Sequence, residues 1–351
     1  MRYMRVGILN ASSYAGVELV RLLAGHPEFE LVAATARSQA GQRLRDVFPS
    51  LAYSARPSLA DLVLTPEIEA PVDLVFSAMP HTASAQALLP FIHDGIPAVD
   101  FAGDFRLKDP AEFEEYYGEA HPAPDLLPCA VYGLTELHRE EIRRAKLVAN
   151  PGCYPTGAIL ALAPVLAEGL VEPDFIIDAK SGVSGGGRTL RLENHFSEVN
   201  ESVNAYRIGR HQHTPEIRQE LAEVSRRAGG DGTITVTFVT HLVPMTRGIL
   251  TTAYARLRRD ASPEELRSLY REYYAGCRFV QITDQPPQTK ATWGSNFCLI
   301  HPAVDRKSNR LVVVACLDNL VKGASGQALQ NANLMAGLPE ETGLLLAPVF
   351  P

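Results

Sequence analysis

Val6-Gly7-Ile8-Leu9-Asn10-Ala11-Ser12-Ser13-Tyr14-Ala15-Gly16 opens the chain's first readable unit. It runs on through residues 17–27 and then Phe29-Glu30-Leu31-Val32-Ala33-Ala34-Thr35. Val6–Leu9 is an apolar run of buried-strand type. Residues 17–27 space their apolar side chains as an amphipathic helix, stopped by Gly25 and Pro27. Residues 29–35 read as a second strand. Strand, tight turn, helix and strand within about 30 residues is the dinucleotide-binding arrangement. The glycine fingerprint nearest to this loop is G-x-x-G-x-x-G, and only Gly16 of it is present. Asn10 and Ser13 occupy the other two places. Asparagine tolerates a left-handed backbone and serine is small, so the turn can still form. Context carries this reading more than the motif does. Ser13, Tyr14, Ala15 and Gly16 are its candidate cofactor contacts.

The residues after the second strand select the cofactor. An acidic side chain there would take the ribose 2′-OH of NAD. The chain has Arg37-Ser38-Gln39 instead, which suits a 2′-phosphate and points to NADP. The alternative is an ordinary solvated loop. A further strand with its exit loop is expected over 73–81, and another strand at 96–101. Arg106 follows the latter, placed to grip an anion or simply to form a surface ion pair.

Outward from this half lies Asn150-Pro151-Gly152-Cys153-Tyr154-Pro155-Thr156. The apolar run Lys146–Ala149 reads as a strand before it, and residues 157–166 as a buried helix after it. A cysteine at the mouth of such a turn meets unpaired backbone N–H groups and the positive end of a helix. Both favour a thiolate and can hold an oxyanion. The alternative is a small cysteine packed under a helix.

In the second half, the apolar strand 174–178 ends in Ala179-Lys180-Ser181-Gly182-Val183-Ser184-Gly185-Gly186-Gly187-Arg188. This reads as an anion-binding loop with Lys180 and Arg188 at its ends, or as a flexible linker. Arg210-His211-Gln212-His213-Thr214-Pro215 follows. Thr214 is the expected N-cap of a helix with Pro215 at its first position, which leaves both histidines in the preceding loop. Either could exchange protons with Cys153. A metal site is not expected, because no third ligand stands near the pair. Strands at 233–240, 246–255 and 311–317, with helices at 262–274 and 327–335, make the second part an α+β sheet with antiparallel edges.

At 351 residues the chain exceeds a single compact core, so two domains are expected. Its net charge of −7, without a basic block, argues against a nucleic-acid partner. Five scattered cysteines form no metal or disulfide pattern and suit a reducing compartment. No apolar run has the length of a signal peptide or a membrane span. A cytoplasmic protein without membrane partners is the expectation.

Asn150–Thr156, Phe101–Lys108, Ser181–Arg188, His211–Ile217, Met245–Leu250 and Asp318–Gly326 together make the chain resemble the N-acetyl-gamma-glutamyl-phosphate reductases of arginine biosynthesis. That family is similar to aspartate-semialdehyde dehydrogenase, in the glyceraldehyde-phosphate-dehydrogenase-like group. The resemblance implies an α/β fold with a Rossmann NADP-binding domain over 1–152. It also implies an α+β catalytic and oligomerisation domain with a mixed sheet over 153–317, and a C-terminal helix, within 318–351, returning to the first domain.

The resemblance further implies that Cys153 attacks an acyl phosphate, phosphate leaves, and NADPH reduces the thioester to a semialdehyde. By similarity His211 handles protons, with His213 in reserve. Arg106 is the implied phosphate binder, and Asn150, Lys180, Arg210 and Arg247 are further substrate-binding candidates. Asn319 resembles a residue near the nicotinamide, and a homodimer or homotetramer is implied. Two alternatives stand beside this one. The first is the lysine-pathway reductase, which acts on a carrier-linked aminoadipyl phosphate. The second is an NADP-binding sensor without catalysis.

Overall fold

A computed structural model describes residues 3–350. They form two compact units: the chain up to Gly152 with Ala324–Leu346, and Cys153–Gly323 with the chain from Ala347 onward.

In the first unit β1 (Met4–Leu9), α1 (Tyr14–Ala24) and β2 (Phe29–Ala34) are followed by a one-turn helix, α2 (Leu44–Val47). Then come β3 (Leu74–Ser77), α3 (Ala83–His93), β4 (Ala98–Asp100) and α4 (Pro110–Tyr117). The series ends with β5 (Ala130–Tyr132), α5 (Thr135–Arg144) and β6 (Leu147–Ala149). The six strands are ordered β2-β1-β3-β4-β6-β5 and all pair in parallel. Helices cover both faces of such a sheet, which explains the unbroken apolar strands: Val6, Ile8, Val75, Phe76, Val99 and Val148 are all fully buried. The strand order reverses between β1 and β3. Crevices for ligands open at the carboxyl ends of strands at such a point.

The second unit contains α6 (Cys153–Ala167), β7 (Val171–Gly182), the short α7 (Phe196–Val199), β8 (Asn204–Tyr206) and α8 (His213–Arg227). It continues through β9 (Thr235–Val243), β10 (Ile249–Leu257), α9 (Pro263–Tyr273) and β11 (Val280–Ile282). The hairpin of β12 (Cys298–Asp305) and β13 (Arg310–Leu317) completes it. The sheet order is β11-β12-β13-β10-β7-β9-β8. Its centre is antiparallel, while β7 with β9 and β11 with β12 run parallel. The expected antiparallel edge therefore holds at β8 and not at β11.

Helix α6 packs against α8, β10 and β13, and every residue from Tyr154 to Leu166 is buried. Pro164 inside it has no N–H for the Leu160 carbonyl one turn earlier. Tyr274 supplies the missing donor, its hydroxyl lying 2.6 Å from that oxygen. Tyr270 donates to the next carbonyl, Ala161, at 2.5 Å. The helix that begins at Cys153 is thus satisfied at its break by side chains of α9 and its C-cap.

The chain leaves the second unit inside a π-helical turn, Val321–Ser325, and re-enters the first in α10 (Gly326–Met335). Gln327 and Asn331 of α10 donate to the Gly133 carbonyl at 2.9 and 2.7 Å. Asn333 meets the His26 ring at 3.0 Å. The boundary thus falls at 323/324 instead of the expected 317/318, because the 318–323 turn bonds into the second unit, as described below. Among the described residues no helix is long and apolar enough to cross a membrane.

Candidate active site

The nucleotide loop lies in the first unit, between β1 and α1. Asn10 adopts φ 62°, the left-handed conformation that the missing glycine would have supplied. Its side chain donates to the Ala78 carbonyl at 2.9 Å and so ties the loop after β1 to the one after β3. Ser13 caps α1: its Oγ accepts from the Gly16 N–H at 2.9 Å and donates to the Asn10 carbonyl at 3.0 Å. A Cβ on Gly16 would lie 2.6 Å from the Asn10 carbonyl oxygen and 2.7 Å from the Ala11 Cα, so only glycine allows α1 this approach. Tyr14 and Ala15 form the first turn of α1. The loop thus has the form of a pyrophosphate cradle, with helical N–H groups at its mouth. Arg37 and Ser38 are exposed just past β2, with Gln39 half-buried beside them.

Arg106 is buried in the same unit. Its Nε donates to the Asn150 carbonyl at 2.8 Å and its Nη2 to the Phe101 carbonyl at 2.6 Å. Two carboxylates stand near it. Asp104 accepts from the N–H groups of Thr82 and Ala85 at 2.8 and 2.9 Å, at the start of α3. Asp100 accepts from the Ser84 hydroxyl at 2.5 Å and from the Ala102 N–H at 3.0 Å. Burial, with the Asp104 charge second, lifts Asp100 to about 7, and the Arg106 charge works against that rise. The Asn150 side-chain amide is engaged at both ends, donating to Ala324 at 3.0 Å and accepting from Asn331 at 3.2 Å. It fastens the first unit to its own returning helix.

The thiol lies in the second unit. Cys153 is the first residue of α6, and Pro151 two residues earlier disfavours helical backbone at Asn150. The Tyr206 hydroxyl donates to that of Tyr154 at 3.1 Å, and Tyr154 donates to the His241 carbonyl at 3.2 Å. Burial foremost, together with the charge of Cys153, pushes both phenols above their ordinary range. Tyr154, Tyr206 and Phe238 present ring edges or faces to His211, with centroids 5.7, 5.5 and 5.3 Å away. This aromatic box was not legible in the sequence. Tyr206 sits on a three-residue strand and meets Tyr154 across 52 positions, and no short-range pattern marks such a pair.

Two sequence expectations change here. Helix α8 begins at His213 with Gln212 as its cap, so Pro215 is its third residue and His213 is helical. Gln212 already has helical backbone angles, and the Thr214 N–H reaches the His211 carbonyl at 2.9 Å. The turn therefore closes before the Thr-Pro signal. Lys180 is part of strand β7, not of a glycine loop, and its ammonium pairs with Asp178 at 2.7 Å. Arg210 is exposed in the loop before His211. Arg247 lies just before the start of β10, its Nη1 3.4 Å from Asp318. The Asn319 Oδ1 accepts from the Gly248 N–H at 2.8 Å, and its Nδ2 donates to the Ser184 hydroxyl at 2.9 Å.

His211 accepts the His213 N–H on Nδ1 at 3.1 Å, which places its own proton on Nε2. Burial, with the Arg207 charge second, holds its imidazole down at about 3. The folded value lies below that of the unfolded chain, so the unfolded chain takes up this proton first as pH falls. The contribution is intact above the ordinary imidazole pKa. It is lost by about 1.4 kcal/mol per pH unit on going down towards the folded value. The His211→Asn variant should therefore show a shallower loss of unfolding free energy between about pH 6.5 and 4.5 in denaturant titrations. Equal slopes in the two proteins would mean that His211 is not held neutral by its box.

Two family models divide the chain almost as the units do. One is described as the semialdehyde dehydrogenase NAD binding domain and matches residues 5–145. The other, the semialdehyde dehydrogenase dimerisation domain, matches residues 153–319. An N-acetyl-gamma-glutamyl-phosphate reductase of Dehalococcoides mccartyi is 50% identical over 351 residues, all of both chains. One from Symbiobacterium thermophilum is 50% identical over 99% of each chain. The chain belongs to the N-acetyl-gamma-glutamyl-phosphate reductase family. Among solved structures, aspartate semialdehyde dehydrogenase II of Vibrio cholerae superposes with a TM-score of 0.72 at 14% identity, over 96% of this chain and 99% of that one. Aspartate semialdehyde dehydrogenase with NADP from Candida albicans gives 0.70 at 18% identity, over 95% and 99%. Both share the fold: a Rossmann-like parallel sheet followed by a mixed sheet.

Proposed function

We propose that the chain catalyses the NADPH-dependent reductive dephosphorylation of N-acetyl-glutamyl 5-phosphate to N-acetyl-glutamate 5-semialdehyde in arginine biosynthesis. Cys153 carries this reading: it heads the buried helix α6 of a chain half identical to curated reductases along its whole length.

Its thiolate adds to the acyl carbon, the C–S bond forms, and the C–O bond to phosphate breaks to leave a thioester. The Cys153 N–H and the positive end of α6 stabilise the oxyanion at each tetrahedral stage. The cofactor held by the nucleotide loop supplies hydride. The resulting thiohemiacetal then releases aldehyde and regenerates the thiol. His211, held neutral with its proton on Nε2, donates a hydrogen bond to the acyl oxygen and exchanges protons there, with His213 in reserve. Arg106 binds the phosphoryl group, with Arg210 and Lys180 in lesser roles.

Ser13 to Gly16 hold the pyrophosphate, and Arg37, Ser38 and Gln39 take the 2′-phosphate, which makes NADP the cofactor in preference to NAD. The Arg37→Ala variant should raise KM for NADPH roughly tenfold to a hundredfold, the value of a lost charge-assisted contact, with little change for NADH. Equal effects on both cofactors would place Arg37 elsewhere. The second unit also associates with another copy, as dimer or tetramer. Leu190 is 98% exposed and Phe196 76% exposed, an apolar strip that association would cover. A cytoplasmic place follows from the reaction class.

The reaction itself is tested in reverse, by absorbance of NADPH formed from N-acetyl-glutamate semialdehyde, phosphate and NADP. Phosphate-dependent formation is the expected result. Formation only with a carrier-linked aminoadipate semialdehyde would move the chain to the lysine-pathway reaction. Silence with both, despite NADP binding, would leave a sensor.

A further inference from the structure

We infer that Asn10 is a positioning residue for the cofactor: its side chain pins the loop after β3 to the loop after β1 and so sets the crevice between them before the dinucleotide arrives. This rests on the proposed seat of the dinucleotide at the β1–α1 loop and deepens it.

Asn10 directly follows β1, where the strand order reverses. Both polar groups of its backbone are used. Its N–H donates to the Thr35 hydroxyl oxygen, just past β2, at 3.0 Å. Its carbonyl accepts from the N–H and the hydroxyl of Ser13 at 3.2 and 3.0 Å. These bonds hold the residue at φ 62°. A glycine would take that backbone with less strain. What glycine cannot supply is the amide, whose Nδ2 donates to the Ala78 carbonyl at 2.9 Å, 68 positions along the chain. The last paired residues of β1 and β3 are Leu9 and Ser77, and the Ala78 N–H still donates to the Leu9 carbonyl at 3.0 Å. The Asn10 amide thus adds one more rung past the end of the strands.

The loop beyond Ala78 is held at its far end as well. Thr82 adopts φ 67°, a left-handed conformation that its β-branched side chain opposes. Its N–H donates to Asp104 at 2.8 Å, and the Ala85 N–H donates to the same carboxylate at 2.9 Å. The Gly103 N–H donates to His81 Nδ1 at 2.8 Å. Backbone strain of this kind persists only where the surroundings over-determine it, and it gathers at ligand clamps. Pro80, between these ties, has its own φ fixed by its ring. Residues 78–82 therefore form a preset wall of the crevice. They are fastened at Thr82 to the loop after β4 and at Ala78 to Asn10. A ligand that lies across β1 and β3 then meets walls that need no ordering, which raises its affinity.

The test is calorimetric titration of wild type and Asn10→Gly with NADP and with adenosine 2′,5′-bisphosphate. The bisphosphate carries the adenosine half alone, which Arg37, Ser38 and Gln39 receive past β2 in the proposed reading. Asn10→Gly should raise the dissociation constant for NADP about tenfold, the worth of one hydrogen bond on a preset loop, and that for the bisphosphate by less than about twofold. Its unfolding midpoint should hardly move, because relief of the left-handed backbone offsets the lost bond. Hydrogen exchange of the free proteins gives a local reading. Amides of residues 78–82 should exchange faster in Asn10→Gly. They should do so equally in Asn10→Asp, which keeps the shape but has no N–H to donate. An NADP dissociation constant within about threefold of wild type, equal losses for both ligands, or unchanged exchange at 78–82 overturns the inference. An unaffected Asn10→Gly beside a Gly16→Ala variant that has lost NADP would keep the seat and reject the positioning role. Wild type that binds neither ligand would instead sink the seat itself.

Discussion

Cys153→Ser is expected to lose at least about 10³-fold in turnover while still binding NADP with wild-type affinity. A serine hydroxyl ionises far above the working pH, and neither the α6 N-terminus nor a neutral His211 can make up that difference. The cofactor loop belongs to the other unit and should be untouched. Rapid-quench analysis with labelled substrate would add a second reading: acid-stable protein-bound acyl group in wild type, none in the variant. A serine variant that keeps more than a few per cent of the rate would remove the thioester from the pathway.

Gly16→Ala is expected to weaken NADP binding by roughly 10²-fold and to lower stability by about 1–3 kcal/mol, the usual range for overpacking. The added methyl would meet backbone on two sides, the Asn10 carbonyl and the Ala11 Cα, and not a side chain that could swing away. Helix α1 must then draw back from the turn, and the N–H groups of its first turn leave the position in which they face a pyrophosphate. Titration calorimetry with NADP reads the first effect, and denaturant unfolding the second. The alkylation rate of Cys153 serves as control and should not change. A dissociation constant within about threefold of wild type would show that the dinucleotide does not lie on this loop.

The parallel half of the fold was legible because its strands are buried on both faces and read as unbroken apolar runs, as in Leu74–Ser77. The nucleotide loop was legible despite lacking two glycines, since Asn10 tolerates the left-handed backbone that it adopts. Other features were hidden for physical reasons. Strand β7 extends to Gly182 because pairing with β9 and β10 carries Lys180 and Ser181 along, whatever their own preference. The Thr214-Pro215 signal was sound locally, but a turn already closed at His211 had started the helix earlier. At the site, Cys153 and the histidines stand out by type and position. Their supports do not: the tyrosine pair and Asp318 act through contacts 52 and 71 positions apart.

The returning helix α10 bears on how the chain matures. Gly133, Thr135 and Arg139 wait for partners at Gln327, Asn331 and Glu340, and His26 waits for Asn333. A ribosome delivers those partners only after residues 153–323, most of the second unit, have been made. The N-terminal unit, made first, can therefore finish folding only after most of the second unit has been made, against the usual order in which domains fold as they appear. A released chain truncated near residue 323 should hold a more protease-resistant second unit beside an unfinished first one.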